Sequence, residues 1–356
     1  MKKYFLGENY ALIDALYEQK QIEQSDWFAL LTMLTPDEKE YLRKIASDVA
    51  KSNFGNGIYI RALTEISSYC KNNCFYCGLR TSNSLAERYR LTKEEILDCC
   101  SEGDAMGFNT FVLQGGEDPK QNDEWITDVV RSIREKFPEK AITLSVGERS
   151  KEAYMAFRDA GANRYLLRHE TRCDEHYSRL HPAVMSGEKR RECLQTLKEL
   201  GFQTGSGMMI GSPFQTMEHI VEDIMFLEQL NPEMIGVGPF IPAQGTPFAK
   251  YVAGSVENTL LVVSLLRLRF PKALIPATTA LSTLCENGLE KGILAGANVV
   301  MPNISPANVR KKYSIYDNKK SYGTESAQQL HLLDKRLNVI GYHIDYGRGD
   351  YDNNKK

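Results

Sequence analysis

From Ile58 onward the chain alternates eight short apolar runs with longer segments of helical periodicity. The runs are IYIRALTEI (58–66), FNTFVLQGG (108–116), AITLSVG (141–147), RYLLRHE (164–170), QTGSGMMIG (203–211), MIGVGPFIP (234–242), IPATTAL (275–281) and ANVVMPN (297–303). Between them lie segments such as KEEILDCCSEGDAMG, DEWITDVVRSIREKF, GEKRRECLQTLKELG, TMEHIVEDIMFLEQL and VENTLLVVSLLRLRF, several ending at glycine or proline, where helices stop. The spacing of roughly 30 to 35 residues is that of one strand–helix unit. An α/β chain with eight such strands predicts a full (β/α)8 TIM-type barrel. A doubly wound open sheet alternates in the same way; the count of eight favours the barrel.

Outside the alternation, the stretch to about residue 52 reads as helical, with YALIDALYEQ, WFALLTMLT and PDEKEYLRKIASDVAKSNF, Pro36 standing in a first turn. The polar tail after about residue 318 ends in GRGDYDNNKK, which predicts a surface helix and a frayed terminus. The expected organisation is an N-terminal helical extension over 1–55, the barrel over 56–318, and a short C-terminal helical tail over 319–356.

Composition narrows the function classes. With 42% hydrophobic and 25% charged residues the chain is globular, and a formal net charge of −2 gives no ground for a nucleic-acid partner. No apolar run approaches the roughly 18 residues of a membrane span. The start, MKKYFLGENYALIDAL, is a poor signal peptide, so a cytoplasmic protein is expected. In that compartment eight cysteines are thiols or metal ligands rather than a disulfide framework.

Parallel barrels carry their active sites at the C-terminal ends of the strands. In strand order these exits read CKNNCFYC, QGGED, SVGER, RHET, GSPFQ, PFIPAQGTP, TTALST and MPNIS. All are polar or bear glycine or proline, so the rim is expected to be functional. At the first exit Cys70, Cys74 and Cys77 form a group, whereas Cys99, Cys100, Cys173, Cys193 and Cys285 are scattered. Structural zinc needs a fourth donor, and a disulfide leaves one thiol over. An iron–sulfur cubane on three thiolates keeps one iron open, as a catalytic metal site does.

The CxxxCxxC triad, with Tyr76 before its last cysteine, resembles that of radical S-adenosylmethionine (SAM) enzymes. RALTEISSYCKNNCFYCGLR, ERYRLTKEEI, VLQGGEDP, RYLLRHET, GVGPFIP, IPATTAL and GANVVMPN, spread over about 58–316, resemble the HydE family of [FeFe]-hydrogenase maturases. Biotin synthase and methylornithine synthase are its neighbours. The resemblance implies one [4Fe-4S] cluster on Cys70, Cys74 and Cys77, with the open iron chelated by SAM. Reductive cleavage then yields a 5′-deoxyadenosyl radical, which needs a dry interior. Some members of the family carry a second cysteine cluster; here the last cysteine is Cys285, so a single cluster is expected.

For the other site residues the resemblance implies two groups. Tyr76, Gln114, Gly115, Gly116, Glu117, Ser145, Glu170, Arg190, Met234, Met301 and Tyr313 would bind or border the cofactor. Thr143, Arg168, Thr278, Thr279 and Tyr316 would face the substrate. Taken without it, these are a tight turn at Gly115–Gly116, an ion pair at Arg168 and Glu170, strand packing at the two threonines and core methionines. Arg191 stands beside Arg190, and alternation turns His169 away from its neighbours' face. The implied substrate is a small carboxylate-bearing or organometallic iron compound, with a ferredoxin-like reductant and other hydrogenase maturases as partners. Two alternatives stay open: a related radical SAM enzyme acting on an amino acid or thiazolidine-like carboxylate, and an iron–sulfur cluster carrier that never cleaves SAM.

Overall fold

The computed structural model describes residues 8–320 and 323–352. Three helices lead, α1 (Glu8–Tyr17), α2 (Gln24–Thr32) and α3 (Pro36–Phe54). Thr35 and Glu38 close a reciprocal capping box at the start of α3, where Pro36 sits in the first turn and has no amide left to satisfy.

A parallel ladder follows. β1 (Gly57–Ile60) and β2 (Ala62–Ser67) are two halves of one strand, interrupted at Arg61. β2 begins a six-stranded sheet that continues in sequence order through β3 (Thr110–Gly115), β4 (Ala141–Ser145), β5 (Arg164–Leu166), β6 (Gln203–Ile210) and β7 (Met234–Pro239). The seventh position is an extended segment without a regular strand. There Leu274 exchanges backbone bonds with Glu233 and Ile235 on one side, while Ile275 and Ala277 bond to Asn298 and Val299 on the other. β8 (Val299–Val300) pairs with β1, and Leu63 bridges Asn303, which returns the ladder to its first strand. The eight positions thus close through isolated bridges as well as regular strands. Pro276 explains the thin seventh position, since it brings no donor to a ladder. The run expected as strand over 275–281 turns helical at Thr279, with Thr278 at the N-cap.

Helices cross over between the strands: α4 (Lys93–Ala105), α5 (Asp123–Lys136), α6 (Lys151–Asp159), α7 (Asp174–Leu180), α8 (Gly187–Glu199), α9 (Met217–Leu230) and α10 (Val256–Arg269). α11 (Thr279–Leu284) and α12 (Gly288–Leu294) precede β8. Thr92, Asn122, Ser150, Ser186, Thr216 and Ser255 each accept a backbone N–H at a helix start. Each such cap is worth about 1 kcal/mol. From Thr259 to Leu268 α10 is buried on all sides, packed against β7 within and α1–α3 without, which is why its middle is largely apolar all round. Of its three charged residues, Arg267 is fully buried and donates to the carbonyls of Gly296 and Pro271 and to Asn298.

The described part of the tail runs to residue 352, and the last four residues of the expected frayed terminus lie outside the described residues. α13 (Leu330–Val339) is the expected helix, but β9 (His343–Asp345) then pairs with β1, and the chain crosses the N-terminal mouth of the barrel. There Arg164, with no exposed surface, donates to the Arg348 carbonyl at 2.8 Å and pairs with Asp350 at 2.6 Å. Thr110 donates to the same carbonyl. No helix among the described residues is long and apolar enough to cross a membrane.

Candidate active site

The loop after β2 carries the cysteines and is held from several sides. Arg88 donates to four of its carbonyls, those of Ser68, Leu79, Arg80 and Asn83. Asn83 donates to Gly78 and to Gln244 of a distant loop. Arg90 forks onto Asp118 at 2.6 and 2.9 Å and lies over the Tyr69 ring. Gly78 fits against residues 314–315, where a Cβ would stand 2.1 Å from the Ser314 carbonyl. None of these anchors was singled out from the sequence; the signal lay in the ERYR block, where two arginines follow a polar loop.

Cys70, Cys74 and Cys77 are half-buried free thiols. Burial pushes all three up, Cys77 to about 12, and neighbouring sulfurs add to the rise at Cys74 and Cys77. Such thiols ionise only against strong positive charge. Among the described residues no three His, Cys, Asp or Glu side chains gather as ligands of a single ion. A cubane asks for something else, each thiolate on a different iron.

Against this loop stands the β3 exit. A Cβ on Gly116 would lie 2.5 Å from the Tyr69 carbonyl and 2.6 Å from Cys70 Cβ, so only glycine lets the two backbones meet. Lys71 donates its amide to the Glu117 carbonyl, and its ammonium pairs with the buried Glu117 carboxylate at 3.1 Å. Tyr76 bonds His181 near the end of α7, a residue that sequence reading passed over. Arg190 is buried, pairs with Glu148 at 2.5 Å and donates to the Arg168 carbonyl, whereas Arg191 pairs with the exposed Asp174. Glu170 takes a φ of +67° and bonds Arg168 at 2.8 Å. A left-handed glutamate is a strained backbone held by its surroundings. His169 lies in the wall, between Ser206 and the buried Asp223.

Below the loop the strands enclose a space lined by Arg61, Gln114, Thr143, Leu166, Met234 and Met301 among others. Pairing register places Glu65, Gln114 and Ser145 in one row across β2, β3 and β4. Gln114 donates to the buried Tyr313 hydroxyl at 3.4 Å, and Tyr316 faces Thr283 with Arg168 within electrostatic reach. The buried polar atoms without a hydrogen-bond partner among the described residues include Thr143 Oγ1, Thr278 Oγ1, Arg168 Nε and Arg61 Nε. Glu65 is new to the site. It is fully buried, bonded to Lys319 at 2.6 Å and Asn303 at 2.8 Å, and burial pushes its carboxyl up. An acid inside the IYIRALTEI run was the available signal.

Met234 opens β7 and receives Arg61 on its sulfur, and Met301 packs in the same cluster just after β8; both line the enclosed space together with Gln114 and Thr143. Thr279 gives its hydroxyl to Glu325 at 2.7 Å, leaving Thr278 as the threonine with an unspent hydroxyl.

Residues 64–227 match the radical SAM superfamily. The [FeFe] hydrogenase maturase subunit HydE of Thermotoga maritima is 43% identical over 302 residues, 85% of this chain and 86% of that one. The chain belongs to the HydE family of radical SAM enzymes. 3-Methylornithine synthase of Methanosarcina acetivorans is 30% identical over 330 residues, 92% of each chain. The crystal structure of a methylornithine synthase superposes with a TM-score of 0.85 at 28% identity, covering 96% of this chain and 98% of that one. A HydE-family protein uses a [4Fe-4S] cluster and SAM, and the site suits both: three thiols on one anchored loop, a glycine edge against it, and unspent polar atoms below.

Proposed function

We propose that this chain is a maturase of the HydE kind, cleaving SAM reductively in assembly of the diiron subcluster of [FeFe]-hydrogenase. Its substrate on this reading is a small cysteine-bearing iron carbonyl/cyanide complex, handed on by another maturase. The observation that carries it is a set of buried polar atoms without partners beside β7 and the enclosed space: Thr143 Oγ1 in its lining, Arg168 Nε on a side chain that reaches Gly236, and Thr278 Oγ1 against Gly238. The 43% identity to a HydE protein supports the same reading.

Cys70, Cys74 and Cys77 hold the cluster. Gly115 and Gly116 let the backbone approach the cofactor, with Gln114, Glu117, Ser145, Tyr76, Glu170, Arg190 and Tyr313 as its polar surroundings. When bound, the cluster supplies an electron and SAM supplies the adenosyl radical. Arg168, Thr143 and Thr278 orient an anionic substrate, and the closed wall excludes water. Helices α1–α3 back α10, and the tail beyond 318 supplies Lys319 to Glu65 and Asp350 to Arg164.

Reconstituted protein, reduced with dithionite, should form 5′-deoxyadenosine from SAM; failure to do so removes the enzyme reading and leaves a cluster carrier. Arg168→Gln should still cleave SAM but convert the iron complex roughly tenfold to a hundredfold less efficiently, as loss of a charged hydrogen bond implies. The likeness to methylornithine synthase favours one second reading, an amino-acid substrate. Turnover of an amino acid without any iron complex would establish that instead.

A further inference from the structure

An aromatic patch runs from the cysteine loop to the surface. Phe75, next to Cys74, meets Phe248 edge-on at 6.1 Å; Phe248 in turn meets Phe214 at 6.0 Å and Tyr251 at 5.2 Å. Phe214 and Tyr251 are 38% and 41% exposed, and neighbouring Val252 is 87% exposed, so the patch ends in apolar surface. Its base is rigid: a Cβ on Gly211 would stand 2.5 Å from Gly254, which locks the 251–254 turn onto the end of β6. Phe214 holds a φ of +68°, an unfavourable conformation for a bulky side chain, and still faces solvent. Core packing gives no reason for that strain.

Two cations flank the rings. The Arg179 guanidinium lies 3.7 Å from the centroid of Phe214, and that of Arg80 lies 5.9 Å from Phe75. Neither pairs with a carboxylate among the described residues, although other surface cations here do, such as Arg191 with Asp174 and Lys93 with Asp128. Exposed Lys250 adjoins Tyr251. Apolar surface with uncompensated positive charge fits a partner with an acidic rim around an apolar centre. Electron tunnelling falls steeply with distance, so whatever reduces a cluster on Cys74 has to dock close to that loop.

We infer that Phe214, Tyr251 and Val252, with Arg179 and Arg80, form the docking surface for a small acidic one-electron carrier protein that reduces the cluster. This rests on the radical SAM reading and adds the face through which the electron enters. The carrier's acidic groups meet Arg179 and Arg80, and its exposed cofactor edge sits over Tyr251 and Phe214.

The test compares two reductants on the full-length, cluster-loaded protein, reading 5′-deoxyadenosine. Reduced two-cluster bacterial ferredoxin is the carrier, and dithionite needs no docking. Arg179→Glu should lower kcat/KM for ferredoxin about tenfold and flatten its salt dependence, with the dithionite-driven rate and the melting temperature unchanged. Tyr251→Ser combined with Val252→Ser should do the same without altering charge. Equal slowing with both reductants, no slowing with either, or wild-type protein that ferredoxin fails to reduce would each overturn the inference. So would a change in oligomeric state at Arg179→Glu with ferredoxin kinetics intact, which would mark the patch as a self-association face. Absence of product with dithionite would instead remove the underlying enzyme reading.

Discussion

The hydroxyl of Tyr76 stands 3.1 Å from Nε2 of His181 and bolts the cysteine loop to the end of α7. His181 gives its Nδ1 proton to the Tyr177 carbonyl at 3.0 Å, which leaves Nε2 as an acceptor for the tyrosine. Burial, with Arg190 nearby, pushes this imidazole down to about 3, so the bond persists at any pH where the enzyme works. Removing the hydroxyl leaves a buried ring nitrogen unsatisfied. Tyr76→Phe should therefore cost about 1–3 kcal/mol, seen as a lower melting temperature in the cluster-loaded protein.

Arg88 sets the shape of the loop itself. Four carbonyls of residues 68–83 converge on its two terminal nitrogens, a geometry that an ammonium cannot reproduce. Arg88→Lys should lower iron and sulfide content after reconstitution by about half or more, with secondary structure retained in circular dichroism. Cluster content equal to wild type would show that the cysteines shape the loop unaided.

Acid should destabilise the same wall. His176 is buried, accepts from Thr171, donates to the Pro213 carbonyl and stacks on His219 at 4.7 Å. Burial pushes it down to about 4, against about 6.5 in an unfolded chain. As pH falls below 6.5 the unfolded state takes up a proton that the folded state refuses until about pH 4. Stability is thus flat above 6.5 and declines through that window, by about 1 kcal/mol at pH 5.5 from this residue. His181 adds in the same direction. Melting curves at pH 7.5 and 5.5 should show the loss, and His176→Gln should reduce it.

What could be read in the chain was local. The cysteine triad sits within eight residues, and the strand runs and helical segments follow periodicities of two and 3.6, so neither needed tertiary knowledge. What could not be read was pairing across the chain. Glu65 and Lys319 meet over a sequence separation of 254 residues, and nothing near either one announces the other. Thr278 and Thr279 look equivalent in IPATTAL, yet helix α11 turns one toward Gly238 and hands the other to Glu325. Met234 was legible as a strand residue, but its level in the barrel depends on register, which put it beside Arg61.

The barrel floor offers the sharpest energetic prediction, because its polar tie joins Arg164 on a short strand to Asp350 near the described end of the chain. Arg164 is fully buried and burial pushes its pKa down, so its charge is tolerated only with the Arg348 carbonyl and the Asp350 carboxylate in place. Ending the chain after Asp345 removes both, together with the Gly349 carbonyl near Arg61. An uncompensated buried guanidinium should then cost about 3–5 kcal/mol. The same truncation combined with Arg164→Met should cost less, since no buried charge is left stranded. Chemical denaturation of the two truncated proteins decides the matter. If the Arg164→Met form is no more stable than the form that keeps Arg164, the tail acts through β9 pairing and packing alone. If it is more stable, the last residues serve to pair a charge inside the barrel, and a tail that looks disposable by composition is part of its floor.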